Sequence, residues 1–128
     1  MAKIRINGGR RIRVDCEIKV GNYNLSRVFK LDTGTQNTCL SARDIGIRLS
    51  EEEFISQYHP KFRFEGTGID DSSSVIFYQI MVDDISIEGE HLGVVPIYIS
   101  FDDNYSKRLL GLDLLNLLNI SLIMILGQ

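Results

Sequence analysis

The chain has 128 residues, of which 44% are hydrophobic and 24% charged, so we expect a single globular domain spanning residues 1–128. The net charge of −3 at pH 7 argues against nucleic acid as the main partner. Two cysteines, Cys16 and Cys39, fit neither a metal-binding spacing nor a disulfide framework, which favours a reducing compartment and a cytoplasmic location.

The first predicted elements form an antiparallel hairpin. The stretch "RIRVDCEIKV" alternates without error between polar and apolar residues, which predicts a half-buried strand. Gly21 and Asn22 begin a turn, and "LSRVFKLD" is predicted to return as a second strand that ends at Asp32. The basic N-terminal stretch "KIRINGGRRIR" alternates with isoleucines, so a solvated strand face explains it better than a nucleic-acid-binding patch.

Two short helical segments are predicted next. "LSARDIGI" has Ser41 as a plausible cap and is expected to form a helical turn closed by Gly46. "SEEEFISQYHP" predicts a longer helix, because Ser50 and Glu53 have the spacing of a capping box and Pro60 ends the helix shortly afterwards.

The second half of the chain predicts more strands. "KFRFEGTG" and "VIFYQIMV" flank a polar turn and are expected to form a long hairpin over residues 61–82. "DISIEGEHLGVVPIYIS" predicts another hairpin, bent at Glu88 and Gly89. "LLGLDLLNLL" predicts a helix and "ISLIMIL" a final buried strand, and the carboxylate and two amides within this apolar region argue against a membrane span. Together these elements predict an all-β, mostly antiparallel domain with one or two short helices.

One tripeptide, Asp32-Thr33-Gly34, begins with the residue that ends the second predicted strand, directly after the apolar Leu31. It is a good turn, because Asp accepts local backbone hydrogen bonds and Gly permits positive φ. It is also the kind of place where a half-buried carboxylate can do acid/base chemistry. Chemistry in which one carboxylate acts as base and another as acid needs two carboxylates that share one proton, and the chain has the tripeptide only once. A catalytic reading therefore predicts a homodimer with Asp32 of each subunit beside the two-fold axis.

Three stretches in order resemble the retropepsin-like aspartic proteases, the single-lobe, homodimeric relatives of pepsin. "FKLDTGTQNTCLS" resembles their catalytic strand and loop, "FEGTGIDDSSSVIFYQI" their flap hairpin, and "RLLGLDLLNLLNISLIMI" their C-terminal apolar-apolar-Gly motif, helix and strand. The resemblance spans roughly residues 10–126. It implies a closed, acid-protease-like barrel with a flap, and an endopeptidase that hydrolyses a peptide or protein substrate with water, without a metal or other cofactor.

The resemblance also implies roles for particular residues. Asp32 would be the catalytic carboxylate, and Thr33, Gly34 and Thr35 would complete the active-site loop, with Thr33 in interlocking hydrogen bonds between subunits and Gly34 against the substrate backbone. The flap and substrate-binding residues would be Gly66, Thr67, Gly68 and Ile69. The residues packed beneath the catalytic loop would be Leu109, Leu110 and Gly111.

The sequence departs from the retroviral members at two positions. Gln36 and Leu112 stand where those members typically carry an acidic residue and an arginine, so a dimer would be braced differently. The flap region is also acidic and serine-rich at residues 70–74, and the chain resembles a cellular or prokaryotic-type member more than a viral one. Two alternatives to an active protease are a catalytically weak peptide-binding or dimerisation module of the same fold, and an unrelated small β barrel in which Asp-Thr-Gly is only a turn.

Overall fold

The computed structural model describes residues 12–67 and 74–118. These residues contain nine strands and two short α-helices. The strands are β1 Arg13–Val20, β2 Tyr23–Leu31, β3 Cys39–Ser41, β4 Arg63–Thr67, β5 Ser74–Val82, β6 Asp84–Ile87, β7 Glu90–His91, β8 Val95–Ser100 and β9 Leu109–Leu110. The helices are α1 Glu51–Tyr58 and α2 Leu112–Leu115, with 3-10 turns at Arg43–Ile45 and Asn116–Leu118. The predicted all-β class with short helices is confirmed.

The strands form one mixed sheet in the order β4-β5-β8-β3-β9-β2-β1-β6-β7. Only the β2–β9 and β3–β8 pairs are parallel, and the other pairings among the described residues are antiparallel. Strands β4 and β7 end the order and do not pair with each other, so the sheet of the described residues is not closed. The short β9 lies between β2 and β3, which brings Leu109 and Leu110 against the strand that immediately precedes Asp32.

The β1–β2 hairpin follows the predicted alternation. Val14, Cys16 and Ile18 on β1 are at most 1% exposed, while the polar residues between them face solvent. Val14 lies opposite the fully buried Phe29 of β2, so both strands supply one face of the core. Gly21 turns the chain with φ of 57°, a conformation that glycine adopts without steric cost.

Both predicted helical segments between β3 and β4 form. Helix α1 has the predicted capping box, in which Ser50 Oγ accepts from Glu53 N and Ser50 N donates to the Glu53 carboxylate. The predicted helical turn is the 3-10 turn Arg43–Ile45, and Ser41 Oγ accepts from Asp44 N at its start. Phe54 is the buried residue of α1 and packs against the aromatic rings of Tyr78 and Phe101.

The long hairpin over residues 61–82 is also confirmed, since β4 pairs antiparallel with β5 from Arg63↔Tyr78 to Thr67↔Ser74. Its tip falls in residues 68–73, outside the described part of the chain. The second hairpin is only partly as predicted. The bend at Glu88 and Gly89 joins β6 to the two-residue β7, but β8 pairs with β5 instead. Gly93, with φ of 77°, redirects the chain between β7 and β8.

The predicted helix over "LLGLDLLNLL" is wrong at its start. Leu109 and Leu110 are strand residues that pair with β2 and β3, and α2 begins only at Leu112. Gly111 between them is extended, with φ of −93° and ψ of 179°. The predicted final strand "ISLIMIL" lies outside the described residues.

The core lies on the inner face of the sheet. Ile85 of β6 and Ile97 and Ile99 of β8 are fully buried there, and Leu114 and Leu115 of α2 cover part of it. Neither helix of the described residues is long and apolar enough to cross a lipid bilayer.

Candidate active site

Asp32 lies at the point where two parallel strands end together. Leu31, the last residue of β2, is in register with the fully buried Leu110 of β9, and Asp32 N donates to Leu110 O at 3.0 Å. The pairing fixes the backbone of Asp32 at the rim of the core, where its side chain is partly exposed. Leu110 therefore lies against the backbone of Asp32, while Leu109 pairs with Lys30 and Cys39.

The side chain of Asp32 is oriented by its own loop. Its Oδ1 accepts from Gly34 N at 2.9 Å, and Thr35 N donates to Asp32 O at 3.3 Å. A Cβ on Gly34 would lie 3.1 Å from the same Oδ1, so a larger residue would crowd the carboxylate. The other oxygen, Oδ2, makes no hydrogen bond to any described residue, which leaves it available to a proton, a water or a second carboxylate. Thr33 and Gly34 are both exposed.

The rest of the loop is held by backbone hydrogen bonds to the start of α2. Leu112 N donates to Thr35 O at 2.9 Å, and Asp113 N donates to Gln36 O at 3.0 Å. We refer to the hydrogen bonds between residues 35–38 and residues 111–113 as the loop brace. The two positions at which the chain departs from retroviral members, Gln36 and Leu112, thus take part through their main-chain atoms, and their side chains are not needed for it.

Thr38 and Asp113 complete the loop brace, and the sequence-based predictions did not include either of them. Thr38 is fully buried; its Oγ1 donates to Asp113 Oδ1 at 2.7 Å and accepts from Gly111 N at 3.0 Å. Thr38 N donates to the same carboxylate. In the sequence, the one signal for Asp113 was its position two residues after the glycine of an apolar-apolar-Gly motif. Only the fold shows that Thr38 hydrogen-bonds to it.

Gly111 allows the closest approach in the loop brace. A Cβ at this position would lie 2.7 Å from the carbonyl carbon, 2.8 Å from the carbonyl oxygen and 3.0 Å from the nitrogen of Asn37. These are main-chain atoms, so relief would require the backbone of the loop to move. Gly111 thus lies against the loop at Asn37, and the missing side chain is what allows this close approach.

Two of the four predicted flap residues, Gly66 and Thr67, lie in a different part of the sheet from Asp32. Gly66 and Thr67 pair with Val75 and Ser74 in the β4–β5 hairpin, and four strands separate β4 from β2 in the sheet order. A Cβ on Gly66 would lie 2.8 Å from a ring carbon of Phe77, so here glycine makes room for an aromatic ring. The other two predicted flap residues, Gly68 and Ile69, fall outside the described part of the chain.

Cys39 lies just beyond the loop and is a core residue, as predicted. Its Sγ is 3.2 Å from the hydroxyl of the buried Tyr105. Burial raises the pKa of the Cys39 thiol to about 11, so the thiol stays protonated at neutral pH and is a poor nucleophile. Cys16 is likewise free and buried, and burial raises its pKa to about 12. Among residues 12–67 and 74–118, no group of three His, Cys, Asp or Glu side chains is placed to hold a metal ion.

A cleft of about 320 Å³ opens beside Asp32, and sequence reasoning missed it. Its charged lining residues are Asp32, Arg13, Lys30, Lys107 and Arg108; Val28, Ser106 and Leu109 complete the wall. A larger depression of about 460 Å³ lies on the outer face of β1 and contains none of the predicted site residues. The sequence signal for the cleft was weak, because its cations come from three separate stretches of the chain.

Comparison of the chain with protein-family models and with curated proteins finds no match. The geometry around Asp32 and the resemblance of three sequence stretches are therefore the basis for a functional proposal.

Proposed function

We propose that this chain is one half of a homodimeric aspartic endopeptidase of the retropepsin-like type, acting on a peptide or protein substrate. The observation that carries the proposal is the placement of Asp32. It directly follows β2, its backbone nitrogen donates a hydrogen bond to Leu110 of β9, and its loop is held by the loop brace. An isolated turn needs only the local bonds to Gly34 and Thr35. The loop brace adds tertiary hydrogen bonds that fix where the carboxylate stands, and such positioning is what catalysis requires.

The proposed chemistry needs two copies of Asp32. Two carboxylates about 3 Å apart cannot both ionise, so the pair holds one proton between them. The ionised carboxylate takes a proton from a water as the water oxygen attacks the carbonyl carbon of the substrate, and the protonated carboxyl protonates the carbonyl oxygen. As the tetrahedral intermediate collapses, the carboxyl that took the water's proton protonates the nitrogen, and the other carboxylate takes a proton from one hydroxyl. The C–N bond then breaks, the amine and the carboxylic acid leave, and the pair again holds one proton. Gly34 N, bonded to Oδ1, keeps each carboxylate oriented throughout.

The finer features of the fold belong to the same proposal. Each chain would form a closed, acid-protease-like barrel, and the β4–β5 hairpin, with Gly66, Thr67, Gly68 and Ile69 in or near the flap, would cover the bound substrate. A cytoplasmic location is proposed from the two cysteines, which are both free and buried. The proposed reaction uses no metal or other cofactor.

A second candidate is a module of the same fold that binds peptides or dimerises with little turnover. The absence of the acidic residue and arginine at Gln36 and Leu112 favours it, because that pair would otherwise help to fix the dimer. It predicts specific binding of peptides without cleavage. Robust cleavage that depends on Asp32 would exclude it.

The test compares Asp32→Asn with Asp103→Asn in cleavage of a fluorogenic peptide library under mildly acidic to neutral conditions. Asp103 is a suitable control because its side chain is 95% exposed and lies in a loop, 3.8 Å from Arg43. We expect Asp32→Asn to lower the rate about 10²- to 10⁴-fold, the usual effect of losing an acid/base group. Asp103→Asn and the melting temperatures should stay unchanged, and a pepstatin-type inhibitor should block the wild type. Equal rates for Asp32→Asn and the wild type would refute the proposal.

A further inference from the structure

The cleft beside Asp32 is strongly basic although the chain as a whole is acidic. Arg13, Lys30, Lys107 and Arg108 supply four cations, while Asp32 is the single carboxylate in the lining. The chain has a net charge of −3 at pH 7, so this concentration of positive charge is local. A cleft lined by one sign of charge concentrates ligands of the opposite sign.

Two of these cations face each other across the β1–β2 hairpin. Arg13 is in register with Lys30, and both side chains lie on the outer face of the sheet. Lys30 N donates to Arg108 O on the β9 side, so Arg13 and Lys30 form the closer, non-hydrogen-bonded type of cross-strand pair. Like charges directly opposite each other destabilise a hairpin. Neither cation forms an ion pair with a described residue, so the repulsion is not offset within this part of the chain.

Arg108 is held in place at the same cleft. Its Nε donates to Val28 O at 2.9 Å, and one terminal nitrogen lies 3.2 Å from Asp44 Oδ1. The guanidinium therefore crosses the edge of β2 in a defined position, and the positive wall of the cleft is partly preorganised. Val28 and Leu109 add apolar surface between the charged groups.

Lys30 N and Asp32 N donate to Arg108 O and Leu110 O, so the chain stays extended one residue beyond β2 and the two side chains lie on the same side of it. Adjacent same-side positions in an extended chain are about 6.6 Å apart. The backbone positions of Lys30 and of Asp32, whose carboxylate is proposed to activate water, are therefore about two residues' length apart. This spacing suits a substrate side chain within about two residues of the scissile bond.

We infer that this cleft is a substrate subsite for a carboxylate, supplied by an acidic side chain or a C-terminus within about two residues of the peptide bond that Asp32 acts on. The carboxylate would neutralise the Arg13–Lys30 repulsion, and its aliphatic stem would pack on Val28 and Leu109. The link to a scissile bond rests on the proposed function, whereas the binding of a carboxylate does not depend on it.

The test measures binding of labelled peptides by fluorescence anisotropy, in the cold and at low salt. The peptides are identical except for a central Glu or Gln, each with an amidated or a free C-terminus. We expect the amidated Glu peptide to bind about three- to tenfold more tightly than its Gln counterpart, the scale of an exposed ion pair shared by several cations. At molar salt the preference should fall below about twofold, because the screening length shrinks to about 3 Å. If only a free C-terminus raises the affinity, the bound group is the terminal carboxylate.

Charge-reversal variants assign the preference to the cleft. Lys30→Glu and Arg13→Glu should abolish or invert the preference for Glu, and each should leave the melting temperature unchanged or raise it, since it replaces a like-charge pair with an opposite one. Lys19→Glu is the control for binding, because Lys19 lies on the same face of β1 but about 20 Å from Arg13. Its melting temperature should fall, since the new carboxylate stands opposite Asp84. Equal binding of all peptides by the wild type, or a preference that survives Lys30→Glu, would overturn the inference.

Mass spectrometry of the same samples separates this inference from the proposed function. Intact peptides with a Lys30-dependent preference would support the subsite and speak against a protease. Cleaved peptides without any preference for a carboxylate would support the protease and overturn the subsite.

Discussion

Gly111→Ala tests whether the close approach of Gly111 to the loop positions Asp32. The new Cβ would lie 2.7 Å from the carbonyl carbon of Asn37. A normal carbon–carbon contact is about 3.5 Å, so the loop must shift by roughly 0.8 Å. The φ of −93° at Gly111 suits any residue, so the cost is steric. Overpacking of this kind lowers the free energy of unfolding by about 1–3 kcal/mol.

The shift of the loop should also lower the rate of peptide cleavage. Moving Asn37 strains the loop brace, including the Leu112 N to Thr35 O bond of 2.9 Å, and so displaces the loop that carries Asp32. A misplacement of about 1 Å can cost roughly 10²-fold in rate, and we expect a loss of that order in peptide cleavage. Stability is measured by urea denaturation followed by circular dichroism, at a fixed chain concentration because a dimer's stability depends on it.

Gly89→Ala is the matched control for this experiment. Gly89 has φ of 86° in the β6–β7 turn, and a Cβ there would meet nothing within 4 Å. Alanine in this conformation costs about 1–2 kcal/mol, so Gly89→Ala should destabilise the protein to a similar extent without slowing cleavage. An unchanged unfolding midpoint and rate for Gly111→Ala would refute the steric argument. Equal slowing by both variants would show that lost stability, and not displacement of the loop, lowers the rate.

Three further predictions concern single side chains. Thr38→Val leaves the buried Gly111 N without its acceptor and should lower the free energy of unfolding by about 1–3 kcal/mol. Thr38→Ser keeps the hydroxyl and should therefore keep most of the wild-type stability. Equal urea midpoints for the wild type and both variants would contradict this. The hydrogen bond between His91 and Asp84 raises the pKa of His91 above its ordinary 6.5 and lowers that of Asp84 below 3.8. The stabilisation by the His91–Asp84 hydrogen bond is therefore complete between about pH 3.8 and pH 6.5. It is lost as pH rises through the raised His91 pKa or falls through the lowered Asp84 pKa. His91→Gln should accordingly lower the melting temperature most within that window, and an equal deficit at pH 9 would count against the pair. Burial raises the pKa of Cys39 to about 11, so Cys39 should react with a thiol reagent only after unfolding; rapid labelling of the native protein at neutral pH would show that it is accessible.

Local patterns predicted the elements whose hydrogen bonds are local. The alternation in β1, the capping box at Ser50 and Glu53, and the positive-φ turn at Gly21 all depend on residues close together in sequence, and all three form. The β4–β5 pairing was predictable for the same reason. Sequence patterns did not reveal that Leu109 and Leu110 form a strand, because their helical propensity is overridden by pairing with β2 and β3, about 70–80 residues earlier.

In the candidate site too, short local motifs were predictable from the sequence, whereas contacts between distant residues were not. Asp32 and Gly111 were recognisable as members of short motifs, and the fold brings the segments that contain them together. Thr38 carries no motif of its own, and its role follows only from the distance of 2.7 Å to a carboxylate 75 residues later. The basic cleft was harder still to foresee. Arg13 belongs to an N-terminal stretch that looked like a solvated strand face, and only the β2–β9 pairing places it with Arg108 around one cavity.

The central claim is that each chain supplies half of one active site, and mixing subunits tests it most directly. Wild-type chains are allowed to exchange with an equal amount of Asp32→Asn chains, and peptide cleavage is measured at constant total chain concentration. If both Asp32 carboxylates are needed, random pairing leaves about one quarter of the dimers active, so the rate should fall to about one quarter of the wild-type rate. A rate of about one half would mean that each chain works alone, and it would contradict the shared site.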